Sequence, residues 1–126
     1  MRYNVQILNF TKLVTDKVDY HSLAFKVELG KVADLNSSKS LRILLETLIG
    51  GGALKIVVDL KSLEQIDSSA IGIIINATKL IRHNKGDMVL MNVSPDIDPI
   101  FKVVSLHRFI KIFSFESDVV DYFRVV

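Results

Sequence analysis

Ile56-Val57-Val58-Asp59-Leu60, a short bridge to Ile66, then Asp67-Ser68-Ser69-Ala70-Ile71-Gly72 is the stretch that decides the fold. The first five residues are a β-branched run bounded by Gly-rich sequence before and polar sequence after, the pattern of a buried strand. Beyond the bridge the period changes. Ala70, Ile73, Ile74, Ala77, Leu80 and Ile81 recur at helical spacing, while Asn76, Lys79, Arg82 and His83 fall elsewhere on the wheel. Asp67-Ser68-Ser69 stands where that helix must start. Asp and Ser are favoured there because their side-chain oxygens accept hydrogen bonds from backbone N–H groups that lack partners in the first turn.

Outward from this stretch the chain alternates. Tyr3, Val5 and Ile7 predict a strand; Lys12 to Val14 either extends it or begins a second, and Thr15 to Tyr20 is polar enough for a turn. Ser22 to Leu29 is the next strand, with Leu23, Phe25, Val27 and Leu29 on one face, and Gly30 closes it. Asn36, Ser37 and Ser38 are the cap candidates for a helix whose apolar stripe is Leu41, Leu44, Leu45, Leu48 and Ile49. Gly50-Gly51-Gly52 ends that helix. After the central helix, Asn84-Lys85-Gly86-Asp87 is a stop and turn, and Met88 to Val93 a strand. Ser94-Pro95-Asp96 opens a further helix with Ile97, Ile100, Phe101 and Val104 as its stripe. Pro99 inside it either kinks the helix or delays its start to Asp98. Lys111 to Phe115 is a short strand, and Ser117-Asp118 caps a last helix bearing Val119, Val120 and Phe123. N-terminal strands followed by alternating helices and strands predict an α/β fold, a mixed sheet covered by helices, with residues 1–126 forming a single domain.

Composition excludes several classes of function. The 126 residues contain no cysteine, which removes disulfide scaffolds, thiol nucleophiles and thiolate metal sites. His21, His83 and His107 lack metal-ligand spacing, and no Ser lies in a Gly-x-Ser-x-Gly elbow. No resident cofactor is expected. The three glycines follow a helix and precede a strand, the reverse of a phosphate-cradling loop. A net charge of +2 with dispersed basic residues gives nucleic acid no binding stripe. No apolar run approaches the ~18 residues of a membrane span, so no membrane insertion is expected. Nor does the N-terminus have a signal-peptide layout, and the expected location is the cytoplasm. Asp59 at a strand end invites comparison with the phospho-acceptor of receiver domains. Such a domain needs an acidic pair after its first strand to hold Mg²⁺, and none is present. Asp59 is therefore read as a strand-end residue.

The ordered series Ile56 to Asp59, Asp67-Ser68-Ser69-Ala70-Ile71-Gly72, Lys85-Gly86-Asp87-Met88, Val93-Ser94-Pro95, Ile100-Phe101 and Leu106 resembles the STAS domain, the fold of bacterial anti-sigma factor antagonists. The resemblance covers roughly residues 22 to 123. It implies a non-enzymatic switch. In phosphorylatable members the first Ser after the Asp is modified by a serine kinase that is also the anti-sigma factor, and a serine phosphatase reverses the mark. Carried onto this chain, the phosphorylation candidate is Ser68, with Asp67, Ser69, Ala70, Ile71, Gly72, Asp34 and Asn36 as the partner-binding surface. Ala70 replaces a usual Gly, which would set a methyl group in the way of close approach. Asp34 stands one place later than the family's early acidic contact, and Ser105 occupies a position where many members have Gly. A STAS subunit of a transporter or a signalling scaffold, working without phosphorylation, is the alternative. A Ser at a helix start is by itself simply a cap, but only one of two adjacent hydroxyls is needed for that.

Overall fold

The computed structural model describes residues 3–9 and 23–124. The possible strand at Lys12–Val14, the turn at Thr15–Tyr20 and the strand start at Ser22 lie outside the described residues. Strand β1 (Tyr3–Asn9) pairs antiparallel with β2 (Leu23–Leu29). Then follow β3 (Val32–Ala33), α1 (Leu35–Gly50), β4 (Lys55–Asp59), β5 (Gln65–Ile66), α2 (Ser68–His83) and β6 (Asp87–Met91). Helix α3 (Asp98–Val103), a 3-10 turn at Leu106–Arg108, β7 (Ile112–Phe113) and α4 (Glu116–Arg124) complete the chain. The main sheet has the order β1-β2-β4-β6-β7 and is parallel from β2 onward. This is the expected mixed α/β sheet.

Side-chain alternation divides the core between the two faces of the sheet. Val27, Leu29, Ile56, Val58, Met88 and Leu90 join Leu41, Leu45 and Ile49 of α1, Ile74 and Ile81 of α2 and Phe101 of α3 in one cluster. Ala24, Val57, Val89 and Met91 point to the other face, where Val119 and Phe123 of α4 cover them. Every residue of β6 is buried, as is β4 beyond Lys55. That is why these strands are continuous apolar runs and not alternating ones.

Several boundaries differ from the expected ones, each for a local reason. Helix α1 is capped by Asp34, and not by Asn36, Ser37 or Ser38; Ser37 and Ser38 are buried in its first turn. Only Gly52 of the three glycines has positive φ (105°), and there the N–H groups of Gly52 and Ala53 return to the carbonyls of Ile49 and Leu48. Strand β6 stops at Met91 because Asn92 turns into the left-handed region at φ 61°. Ser94-Pro95-Asp96 forms a turn, and α3 takes the later start at Asp98, which puts Pro99 in the first turn, where a missing N–H costs nothing. Helix α4 begins at Glu116, so Ser117 and Asp118 lie inside it. The buried stripe of α2 is Ala70, Ile71, Ile74, Ala77, Thr78 and Ile81. Ile73, packed at the edge of the core, and Leu80 line a groove against Arg42 and Glu46 of α1, and the buried Thr78 hydroxyl donates to the Ile74 carbonyl.

Candidate functional site

The parallel strands β2 and β4 end beside each other, and the chain leaves each one toward a helix start. Between strand end and helix, the two-residue strands β3 and β5 pair in parallel, Val32 with Gln65 and Ala33 with Ile66. This small second sheet was not foreseen from sequence, since two residues carry no period. Its effect is to bring the starts of α1 and α2 together, at the carboxyl edge of the sheet where open α/β folds place their binding sites.

Each helix start has its own aspartate. Asp34 accepts from the Ser37 N–H at 3.2 Å, and the Ser37 hydroxyl accepts from the Asp34 N–H at 3.0 Å, a reciprocal capping box. Asp34, only half-buried, thus serves its own helix. Asp67 caps α2: its Oδ1 accepts from the N–H groups of Ser69 (3.1 Å) and Ala70 (3.2 Å) and from the Ser69 hydroxyl (2.5 Å). Its Oδ2 accepts from the Leu35 N–H at 2.8 Å, at the first residue of α1. The Asp67 N–H donates to the Ala33 carbonyl at 3.0 Å. The Ser69 hydroxyl foremost, with the backbone N–H groups of Ala70, Leu35 and Ser69, holds the Asp67 carboxyl below its ordinary 3.8.

This geometry separates the two serines. The Ser69 hydroxyl is engaged by Asp67. Ser68, the first residue of α2, is exposed, and its hydroxyl has no hydrogen-bond partner among the described residues. The expected surface residues separate as well. Asn36 is exposed and Gly72 half-buried; a methyl group added at Gly72 would meet nothing within 4 Å, so that face of α2 is open. Ala70 is wholly buried and Ile71 nearly so, both in the main core cluster. The expectation that the Ala70 methyl obstructs the surface, and that Ala70 and Ile71 offer side chains to a partner, is corrected on this point. Helical spacing carries them inward from Ser68.

Sequence reasoning missed Leu35. It is 73% exposed, at the head of α1 and tied to Asp67. The signal was present: the stripe from Leu41 to Ile49, run backward, passes through Ser38 and Ser37 and leaves Leu35 off the buried face. Elsewhere, Ile100 and Val103 of α3 are exposed, as is Val104 just past its end; Ile100 and Val104 were expected in an apolar stripe of which only Ile97 and Phe101 are buried. Asp59 is buried at the end of β4, where its Oδ1 accepts from the Lys61 N–H and the Asn92 amide. Among the described residues there is no group of three His, Asp or Glu placed to hold a metal ion, and no helix long and apolar enough to cross a membrane.

A family model described as the STAS domain matches residues 10–119. The anti-sigma F factor antagonist of Paenibacillus polymyxa is 26% identical over 111 residues, spanning 87% of this chain and 95% of that protein. Among solved structures, the anti-sigma factor antagonist SpoIIAA in its unphosphorylated form superposes with a TM-score of 0.73 at 19% identity, covering 98% of both chains. A sulfate transporter family protein from Wolinella succinogenes superposes with a TM-score of 0.69 at 10% identity, covering 81% of this chain and 85% of the other.

Proposed function

Because the chain belongs to the STAS domain family, we propose that it is a protein-binding switch of the anti-sigma factor antagonist kind, set by phosphorylation of Ser68. The observation that carries this reading is the contrast within the serine pair. One hydroxyl is bound by the capping aspartate, and the other stands exposed at the helix start with no hydrogen-bond partner among the described residues. The names of the relatives, an anti-sigma F factor antagonist and a SpoIIAA distinguished by its phosphorylation state, support the same class.

In this reading the unmodified surface around Ser68, with Leu35, Asn36 and Gly72 beside it, docks an anti-sigma factor that is also a serine kinase. The domain performs no catalysis and holds no cofactor. The kinase supplies ATP and Mg²⁺, Ser68 Oγ attacks the γ-phosphorus, ADP leaves, and the hydroxyl proton passes to a base on the kinase. A serine phosphatase hydrolyses the ester. The fold accepts the new charge, because a phosphate at the head of α2 meets the positive end of the helix dipole. Its cost falls on the complex, where a docked phosphate would lose hydration that nothing replaces. These partners place the protein in the cytoplasm.

Two measurements test the reading. Peptide mapping after treatment with the cognate kinase should find the label on Ser68 and none on Ser69. Ser68→Asp should weaken kinase binding about a hundredfold or more, equivalent to roughly 2.7 kcal/mol, with the melting temperature nearly unchanged. Label on Ser69 alone, or full binding by Ser68→Asp, would overturn the assignment.

A further inference from the structure

We propose that Asp67 is a positioning residue that joins Ser68 and the exposed Leu35 side chain into one docking unit, and that a phosphate on Ser68 is transmitted through Asp67 to Leu35. The second half of this inference rests on Ser68 being the modified residue.

The two carboxylate oxygens of Asp67 have different tasks. Oδ1 takes three donors, all from the first turn of its own helix. Oδ2 takes one, the Leu35 N–H, which comes from 32 residues earlier in the chain. Loss of one donor from Oδ1 leaves two others; loss of the Leu35 bond leaves nothing of the tether from Oδ2. The chain around Leu35 is fixed on both sides. Ala33 is held by the Asp67 N–H, and Ser37 by the Asp34 capping box. The Leu35 backbone is thus held at one point of the surface, while its side chain is 73% exposed. That suits insertion into an apolar pocket of a protein partner, since little further ordering of its backbone is then needed on binding.

Ser68 adjoins Asp67 in sequence, so a phosphate there sets about −1.5 to −2 charge beside the carboxylate. Two anions so close repel one another, and they compete for the same N–H donors at the paired helix starts. The single Oδ2 bond is the one that yields. Phosphorylation then does two things: it places charge in the docking surface, and it frees the Leu35 N–H, removing one of the restraints on the residue that would anchor the partner.

The test uses the full chain, ¹⁵N-labelled, in three forms: unmodified, with phosphoserine installed at position 68 by genetic code expansion, and Asp67→Asn. The asparagine keeps an oxygen for the α2 cap but turns an NH₂ group toward the Leu35 N–H, donor against donor. Hydrogen exchange at the Leu35 amide is expected to speed up about tenfold or more in Asp67→Asn, while the amide of Val57 in the core is unchanged. In the phosphoserine form the Leu35 resonance should shift and its exchange should rise in the same direction. A Leu35 amide that is indifferent to phosphoserine overturns the transmission, and does so even if a kinase labels Ser68. Kinase labelling at another residue overturns the phosphorylation reading and leaves the Asp67→Asn result standing. If Asp67→Asn fails to fold, the phosphoserine arm decides alone.

Discussion

Helix α2 meets one aspartate at its head, Asp67, and through Arg82 of its last turn another, Asp87, at the start of β6; the two are used in opposite ways. At the head, Asp67 binds four neutral donors among the described residues, beside the exposed Ser68 hydroxyl. At the tail, Asp87 is buried and meets both a cation and a phenol. Arg82 Nε donates to its Oδ1 at 2.8 Å, the Tyr122 hydroxyl of α4 donates to Oδ2, and the Met88 N–H donates at 2.9 Å. Arg82 also donates to the Phe109 carbonyl at 2.7 Å and lies over the Phe109 ring at 4.8 Å. Three elements and a loop are closed into one network there. Changes at the tail should therefore register in stability, and changes at the head in binding.

The largest effect expected from this contrast is at Gly86. A Cβ there would lie 2.3 Å from the Leu54 carbonyl oxygen, and the same carbonyl accepts the Asp87 N–H. Neither backbone can move without breaking the β4–β6 register. Gly86→Ala should cost roughly 2–4 kcal/mol in a denaturation experiment. A loss under about 1 kcal/mol would mean that the tail gives way more easily than its packing indicates.

Next in size is Tyr122→Phe, at about 1–2 kcal/mol, because the phenol donates to a carboxylate in a part-buried site. This prediction has a pH signature. Burial first, then the hydrogen bond and charge of Asp87, push the Tyr122 phenol from 10 up to about 12. The folded value is the higher one, so the phenol's contribution is complete below pH 10 and is lost as pH rises from 10 to about 12. Wild type should lose more stability across that interval than Tyr122→Phe. Equal slopes would break the link between the Tyr122–Asp87 hydrogen bond and the tail's strength.

The smallest effect is at the head. Ser68→Ala should change stability by less than about 0.5 kcal/mol, since Asp67 already supplies the cap, and kinase binding should survive. A larger loss of stability would make Ser68 a structural residue and erase the difference between the two ends.

Much of this was legible in the sequence, and the missing parts share a cause. The strand–helix alternation, the start of α2 and the exposure of Ser68 follow from period and capping chemistry, which are local. Ser105 was legible too: it adopts φ 56°, the left-handed conformation that explains why Gly suits this position. Side-chain facing near Ser68 was not, because the apolar spacing of α2 runs equally well through Ile73 and Leu80. In the structure Leu80 is exposed and Ile73 only half-buried at the edge of the core, while Ile71 and Thr78 are buried. The Asp67–Leu35 bond and the β3–β5 pair were invisible for a related reason. Both join segments some thirty residues apart, and neither side carries a pattern that names the other.

That separation has a consequence for when the surface comes into being during folding. Leu35 is made long before Asp67 in synthesis, and the pair meets only after β4 has docked beside β2 and closed the intervening loop. Loop-closure entropy must be met first, so this contact forms late compared with the turns inside either helix. A chain stalled at residue 60 would lack Asp67, and with it the tether to the Leu35 N–H. An incompletely folded copy therefore cannot present the assembled surface, and a partner that requires it responds to finished molecules alone.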